Sequence, residues 1–238
     1  MTRHSVAERE LQASRADGDT ASRAVAIDES FGSKLLELHI ARYGLGRSQP
    51  RTLEGAQEVM YAVEASGTLI VDGEPHQLEP MTAAYVVAGE TYEIENAGPD
   101  ELLVVSAIAP QAANGRHEGR RTVRYEDQEP LPASGNREFR YLVTHEVGCL
   151  ELTQFYGVIA PGRAPDHSHV YDEVIYVLEG EGMLHIDDSH EPVGGGTCIH
   201  LPPLLLHSLE NSGEGPMKVV ATFHPAGDPA SRAYEANE

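Results

Sequence analysis

The stretch Pro161–Gly180, PGRAPDHSHVYDEVIYVLEG, decides how this chain is read. It opens on turn residues, passes through His-x-His at His167 and His169, and ends in an apolar run closed by Gly180. In extended backbone, side chains alternate between faces, so His167, His169 and Glu173 share one side. Two imidazoles and a carboxylate on one face have metal-ligand spacing. Further along, GGTCIHLPPLLLHSLEN carries Gly196, Pro202, His207 and Asn211 around a turn between two predicted strands. His207 is the candidate fourth ligand.

Together the two segments resemble the paired motifs of the cupin superfamily. Gly162, His167, His169, Glu173 and Gly180 match the first motif, and Gly196, Pro202, His207 and Asn211 match the second. Two departures are visible. Four residues rather than five separate Gly162 from His167, and Leu204 stands where the family usually has a turn glycine. The resemblance implies that His167, His169, Glu173 and His207 bind one divalent transition metal inside a small antiparallel β-barrel. Fe2+ is the first expectation, with Mn2+, Ni2+, Zn2+, Co2+ and Cu2+ as alternatives. A histidine on an apolar strand is more often a satisfied core residue, and barrels of this family can lose their metal. Such loss erodes the ligands first, and here all four are present.

The same pattern occurs twice. EVMYAVEASGTLIVDG at Glu58–Gly73 matches EVIYVLEGEGMLHIDD at Glu173–Asp188, an offset of 115 residues that also relates Gly67 to Gly182 and Asn96 to Asn211. The chain is thus a tandem duplication that resembles the bicupin subgroup, and the expected fold class is all-β, two tandem jelly-roll barrels. Short β-rich runs separated by Gly, Pro, Asn and Asp support that class independently. The expected organisation is an N-terminal arm over 1–30 with a short helix around Val6–Ala16, a first barrel over 31–111 and a linker over 112–140. A second barrel over 141–225 and a polar tail over 226–238 complete it.

Applied to the ligands, the offset replaces His167 by Thr52, His169 by Glu54, Glu173 by Glu58 and His207 by Tyr92. No imidazole survives at these positions, so the first barrel is expected to be structural and metal-free. The linker holds a basic cluster, Arg116, Arg120, Arg121 and Arg124. Its segment RTVRYED reads as a solvated stretch, or as a strand reaching across to a neighbouring barrel or subunit.

Composition narrows the function classes. Among 238 residues, Lys plus Arg total 17 against 38 Asp plus Glu, a formal charge of −21 that repels phosphate backbones and anionic membranes. No nucleic-acid or membrane partner is expected. Cys149 and Cys198 form no CxxC pair and read as buried free thiols of a reducing compartment, and no signal-like or membrane-spanning run is present, so the expectation is cytoplasmic. GxSxG, P-loop and strand-linked GxGxxG motifs are absent. The resemblance further implies an oligomer, most simply a homodimer.

Three imidazoles and a carboxylate leave two adjacent octahedral positions open for water or substrate. Strand parity puts Tyr171, Ile175 and Val177 on the ligand face, as the wall of a mostly apolar substrate pocket. Arg163 is expected at its rim, and His200 would act as an acid, base or ligand support if it points inward. A small enol, catechol or dicarbonyl chelated through adjacent oxygens suits this site, with Glu173 as the catalytic base. The leading expectation is a metal-dependent oxygenase. A non-redox isomerase or lyase, or a non-catalytic metal- or small-molecule-binding protein, are the alternatives.

Overall fold

Strands Ala56–Glu64 and Asp172–Glu179 lie inside the two large sheets and are buried on both faces. The computed structural model describes residues 3–111, 117, 119–133 and 137–231, with the backbone of 234–235. Its regular elements there are strands and single 3-10 turns. Along each of the two strands, alternate residues serve different cores. Met60 and Ala62, like Ile175 and Val177, point into their own barrel, whereas Val59 and Tyr61, like Val174 and Tyr176, pack against the opposite half. Burial on both faces explains why these segments read as near-continuous apolar runs rather than clean alternation.

All pairings are antiparallel. In the first half, a six-stranded sheet runs in the order Thr122–Arg124, Thr82–Val86, Ala56–Glu64, Leu102–Pro110, Glu37–Tyr43, Ala21–Ile27. A smaller sheet, built on Thr91–Asn96 and Gly67–Val71, closes that barrel. The second half repeats this order as Ser5–Ala7, Thr197–Leu201, Asp172–Glu179, Met217–His224, Thr153–Ile159, Arg137–Val143, Leu131–Pro132. Its smaller sheet contains Ser189–Gly194, Glu181–Ile186, His207–Asn211 and His167–Ser168. The large sheets pack face to face through a core that includes Ile27, Tyr61, Tyr85, Leu142, Tyr156 and Val174. Cys149 and Cys198 are buried in it as free thiols. No helix among the described residues is long and apolar enough to cross a membrane.

Three of the expected boundaries are corrected. Residues 3–30 are not a loose arm, and the expected helix over Val6–Ala16 is reduced to one 3-10 turn at Glu8–Glu10. Ser5–Ala7 pairs with Thr197–Leu201 of the second barrel, while Ala21–Ile27 is an integral strand of the first, with Ala21 and Ile27 fully buried. The linker is likewise structured at both ends. Thr122–Arg124 pairs with Thr82–Val86 of the first barrel, and the second barrel begins by Arg137. Each repeat therefore lends its leading strand, followed by a 3-10 turn, to the edge of the other repeat's sheet. The helical periodicity of VAERELQ loses because pairing satisfies the backbone groups at an open sheet edge. In the basic cluster, Arg121 forms a buried ion pair with Glu90 and Arg124 an exposed one with Glu79, while Arg116 lies outside the described residues. The tail is the third correction: residues 227–231 are hydrogen-bonded onto the mouth of the second barrel.

Candidate metal centre

Three strands bring the donors together. Glu173 sits in Asp172–Glu179, between Leu201 and Phe223 of the flanking strands. His207 opens His207–Asn211 and pairs in register with His167 on one side and Ile186 on the other. His169 follows His167–Ser168 immediately. One donor atom each from His169, Glu173 and His207 lie within 4.8 Å of one another, and all three residues are buried. His167 lines the same cavity, its ring centroid 4.5 Å from that of His207. Among the described residues, no other group of three His, Cys, Asp or Glu has donors in such reach.

The imidazoles share one orientation. Nδ1 of His167 lies 3.2 Å from Pro165 O, Nδ1 of His169 2.9 Å from Tyr171 O, and Nδ1 of His207 2.9 Å from Leu205 O. A carbonyl oxygen only accepts, so each Nδ1 is the donor, and in the neutral ring the lone pair is on Nε2. Fixing the tautomer through the remote nitrogen is how ligating histidines are usually prepared. His169 shows the consequence most directly. Its Nδ1 proton is committed to Tyr171, yet its Nε2 faces Glu173 Oε2 at 2.8 Å. Two acceptors around one imidazole require either a second proton or a cation on the Nε2 side.

Electrostatics sort the two buried histidines oppositely. Burial lowers the His207 pKa to about 3, helped by the adjacent His167, so its ring is neutral and ligand-competent at ordinary pH. For His169, burial also opposes the charged form, but the hydrogen bond and attraction of Glu173 outweigh it and raise the pKa. The donor chemistry fits a divalent transition ion, since two imidazoles and a carboxylate converge and a third imidazole, His167, lines the same cavity.

The cavity at these donors has a volume of about 90 Å³. This is several times the volume of about 10–15 Å³ that admits one water molecule. Its walls are apolar, chiefly Phe139, Phe155, Ile175, Leu201, Leu209 and Phe223, with Arg137 and Glu138 also lining it. Tyr171 and Ile175 line it as strand parity expected, whereas Val177, on the same face, is buried in the barrel core and is not part of the lining.

Arg163 and His200 are corrected. Arg163 is not in the lining; its Nε donates to Ser208 Oγ at 2.9 Å and its Nη2 pairs with Asp166 on the exposed surface. His200 pairs in register with Val174, not with Glu173, so its side chain lies on the sheet face turned to the other half. There its Nε2 meets Asp172 Oδ1 at 2.7 Å, and Ser33 Oγ of the first half reaches Asp172 Oδ2 at 3.2 Å. His185, in the small sheet, contacts Glu210 and His190 instead. Sequence reasoning missed the aromatic walls and the tail residues Pro229 and Ser231 that also line the cavity. The aromatic walls follow strand parity from Glu173 once register is known; the tail carried no periodic signal.

In the first half, the corresponding positions are occupied differently. Glu58 is buried and accepts from Tyr92 Oη at 2.9 Å, with Arg51 Nε 4.0 Å away. Thr52 Oγ1 bonds Thr91 Oγ1 at 2.6 Å, and Glu54 is exposed.

Known proteins with matching features agree with this architecture. The family model for the Cupin domain matches residues 155–223. An uncharacterized protein of Methanocaldococcus jannaschii is 35% identical over 60 residues, covering 25% of this chain and 48% of that protein. Auxin-binding protein 1 of Arabidopsis thaliana is 29% identical over 83 residues, covering 31% of this chain and 42% of that protein. The chain thus spans less than half the length of these curated relatives. Among solved structures, oxalate decarboxylase of Bacillus subtilis, described for its Mn(II) centres, superimposes with a TM-score of 0.79 at 12% identity, covering 98% of this chain and 80% of that one. The protein Ylba from E. coli gives 0.78 at 14% identity, covering 94% and 93%. Residues 155–223 thus match the Cupin domain model, and the chain as a whole shares the all-β fold of these solved structures.

Proposed function

We propose that the second barrel is a mononuclear metal centre acting as an enzyme on a small oxygenated molecule, with oxygenase chemistry on an enol, catechol or dicarbonyl as the first assignment. The observation that carries this reading is the common tautomer of His167, His169 and His207, whose Nδ1–H groups are all spent on backbone carbonyls. His167, His169, Glu173 and His207 would hold the ion, iron(II) first. When bound, it supplies a Lewis acid that lowers the pKa of a chelated hydroxyl and, if redox-active, a route to dioxygen. Glu173 accepts the proton released from that hydroxyl. The phenyl and aliphatic walls exclude water and limit the substrate to a compact molecule. Tyr171 serves no proton transfer, because its hydroxyl is committed to Asp228 O and burial together with Glu173 raises its pKa to about 12. The first barrel is structural in this reading, since its buried carboxylate Glu58 already has a phenol and a guanidinium beside it.

A second reading, non-redox decarboxylation or isomerisation of a small carboxylate, is favoured by one feature. Arg137 lines the same cavity, with its Nη2 donating to Leu209 O at 2.6 Å, and brings a positive charge to the wall. Likeness to oxalate decarboxylase, a protein with Mn(II) centres, points the same way at the level of fold.

Elemental analysis of tag-free protein beside His169→Ala decides the first point. About one equivalent of metal in the parent, lost in the variant, is expected; equal content in both refutes the centre. Oxygen uptake with candidate enols then separates oxygenase from lyase, which would release carbon dioxide from small carboxylates without consuming oxygen.

A further inference from the structure

Residues 227–231 lie along the mouth of the second barrel. Beyond Met217–His224 the backbone turns back, and Pro229 and Ser231 line the same cavity as the four candidate ligands. Three contacts hold the segment down. Tyr171 Oη lies 2.7 Å from Asp228 O and 3.3 Å from Ser231 O; Tyr141 Oη donates to Asp228 Oδ1 at 3.3 Å; and Gly227 N–H donates to Thr153 Oγ1 at 3.1 Å. Within the segment, Asp228 Oδ1 accepts Ala230 N–H at 2.8 Å and Asp228 O accepts Ser231 N–H at 2.9 Å, a turn that keeps its shape as a unit.

Tyr171 joins this segment to the site. Its ring stacks on Phe223, with centroids 4.2 Å apart, and on His169, 4.8 Å apart, and its carbonyl receives the His169 Nδ1 proton. The segment lies flush on that ring. A Cβ at Gly227 would fall 2.4 Å from Tyr171 Cε1, so only glycine permits the approach. Yet residues 225, 226, 228, 230 and 231 are exposed, and the segment contributes no residue to the barrel's hydrophobic core. It is therefore held by a few hydrogen bonds rather than by buried apolar area, which is the profile of an element that opens locally while the barrel stays folded.

We propose that residues 226–231 are a cap over the cavity, that Tyr171 is its latch, and that the closed cap sets the upper size of the molecule admitted. The ligand side of this inference rests on the metal-centre reading; the cap and its latch do not. Tyr171 is on this view a positioning residue, acting through the cap and through His169.

Two arms test the proposal. In metal-free protein, amide hydrogen exchange at Gly227, whose N–H is bonded to Thr153 of the barrel, reports the fraction of time the cap is open. Loss of a hydrogen bond of ordinary strength changes that ratio by about 2- to 12-fold, so exchange in Tyr171→Phe and in Thr153→Val is expected to quicken by that factor while barrel-strand amides are unchanged. In protein loaded with Co2+, release to excess EDTA is expected to accelerate by a similar factor. The cobalt spectrum of the parent should respond to acetohydroxamate but not to a naphthyl hydroxamate, and Gly227→Val should admit both. Unchanged exchange in both latch variants, or equal response of the parent to the two hydroxamates, overturns the cap. Failure of the parent to bind Co2+ would instead refute the metal centre, and the exchange arm would then decide the cap by itself.

Discussion

Burial of a neutral His207 beside His167 and His169 makes the metal-free protein sensitive to mild acid, and the size of the effect follows from the site. Its imidazole has a folded-state pKa of about 3 against 6.5 for the free group. As pH falls through 6.5 the unfolded chain takes up a proton that the folded protein refuses until about pH 3. Stability from this group is therefore fully present above 6.5 and declines across the window below it. Between pH 7 and pH 5 the loss amounts to about 2 kcal/mol. His169, whose pKa is raised, runs the other way: its contribution is complete below 6.5 and is lost as pH rises through its folded value. The lowered carboxylates Asp19, Glu90 and Asp166 contribute only losses at more acidic pH, as protonation proceeds from their ordinary values of 3.8 to 4.5 downward. His76, His117 and His224, also lowered by burial, add to the acid slope with the same sign as His207. Urea titrations of metal-stripped protein at pH 7 and pH 5 read the effect. With a denaturant slope of about 1–3 kcal/mol/M, His207 lowers the midpoint by about 0.7–2 M, and His207→Gln removes that part of the shift. Equal losses in the parent and in His207→Gln between these pH values would refute the assignment of the slope to this ring.

Two further substitutions probe the frame around the site. At Gly182 a Cβ would lie 1.8 Å from the carbonyl oxygen of Glu210 in the strand that begins with His207. Gly182→Ala must push the two strands apart, so a loss of about 1–3 kcal/mol in urea unfolding is expected together with weaker Co2+ binding; unaltered stability would show that the strands do not run so close. Asp172→Ala leaves the buried His200 Nε2 without its hydrogen-bond partner, and a loss of about 1–3 kcal/mol in the same measurement is expected. A change under 1 kcal/mol would mean that the Asp172–His200 pair adds nothing to the packing of the two halves.

The fold and the convergence of the candidate donors were legible for one physical reason: both are written in period two. The internal repeat and the parity of His167, His169 and Glu173 place the donors on one face, and His207 follows from the return strand. Asp172 and His200 were not legible because strands buried on both faces present polar residues to two different interiors. Parity separates the faces but does not say which of them looks toward a partner sheet. Only register, with Val174 opposite His200 and Leu201 opposite Glu173, assigns them. The leading strand Ser5–Ala7 was misread as helix, whereas Thr122–Arg124 is the strand reaching to the neighbouring barrel that RTVRYED allowed; both segments are too short and too polar to bury a face. Their conformation is set by the unpaired edges of Thr197–Leu201 and Thr82–Val86, which lie far away in sequence. The tail escaped notice for a similar reason, since its one requirement, a glycine against Tyr171, becomes visible only when the ring is in place.

The contact between the halves shows how a duplicated barrel divides its labour. Gln57 and Asp172 are repeat-related, and each precedes the motif carboxylate, Glu58 or Glu173. Gln57 Oε1 accepts from Tyr85 Oη at 2.9 Å, with Cys149 Sγ of the other half at 3.7 Å; Asp172 meets His200 at 2.7 Å, with Ser33 Oγ of the other half at 3.2 Å. The arrangement is the same pseudo-symmetric contact made twice, once with neutral partners and once with an acid and an imidazole. One residue further along each strand, the same contrast recurs on the inner face. Glu58 is satisfied within the protein by Tyr92, whereas Glu173 faces imidazoles whose remaining proton donors are already used. In the first barrel the buried carboxylate is thus met by the protein's own side chains. The second keeps a carboxylate and imidazole nitrogens convergent, and the 2.8 Å approach of His169 Nε2 to Glu173 Oε2 calls for a proton or a cation between them.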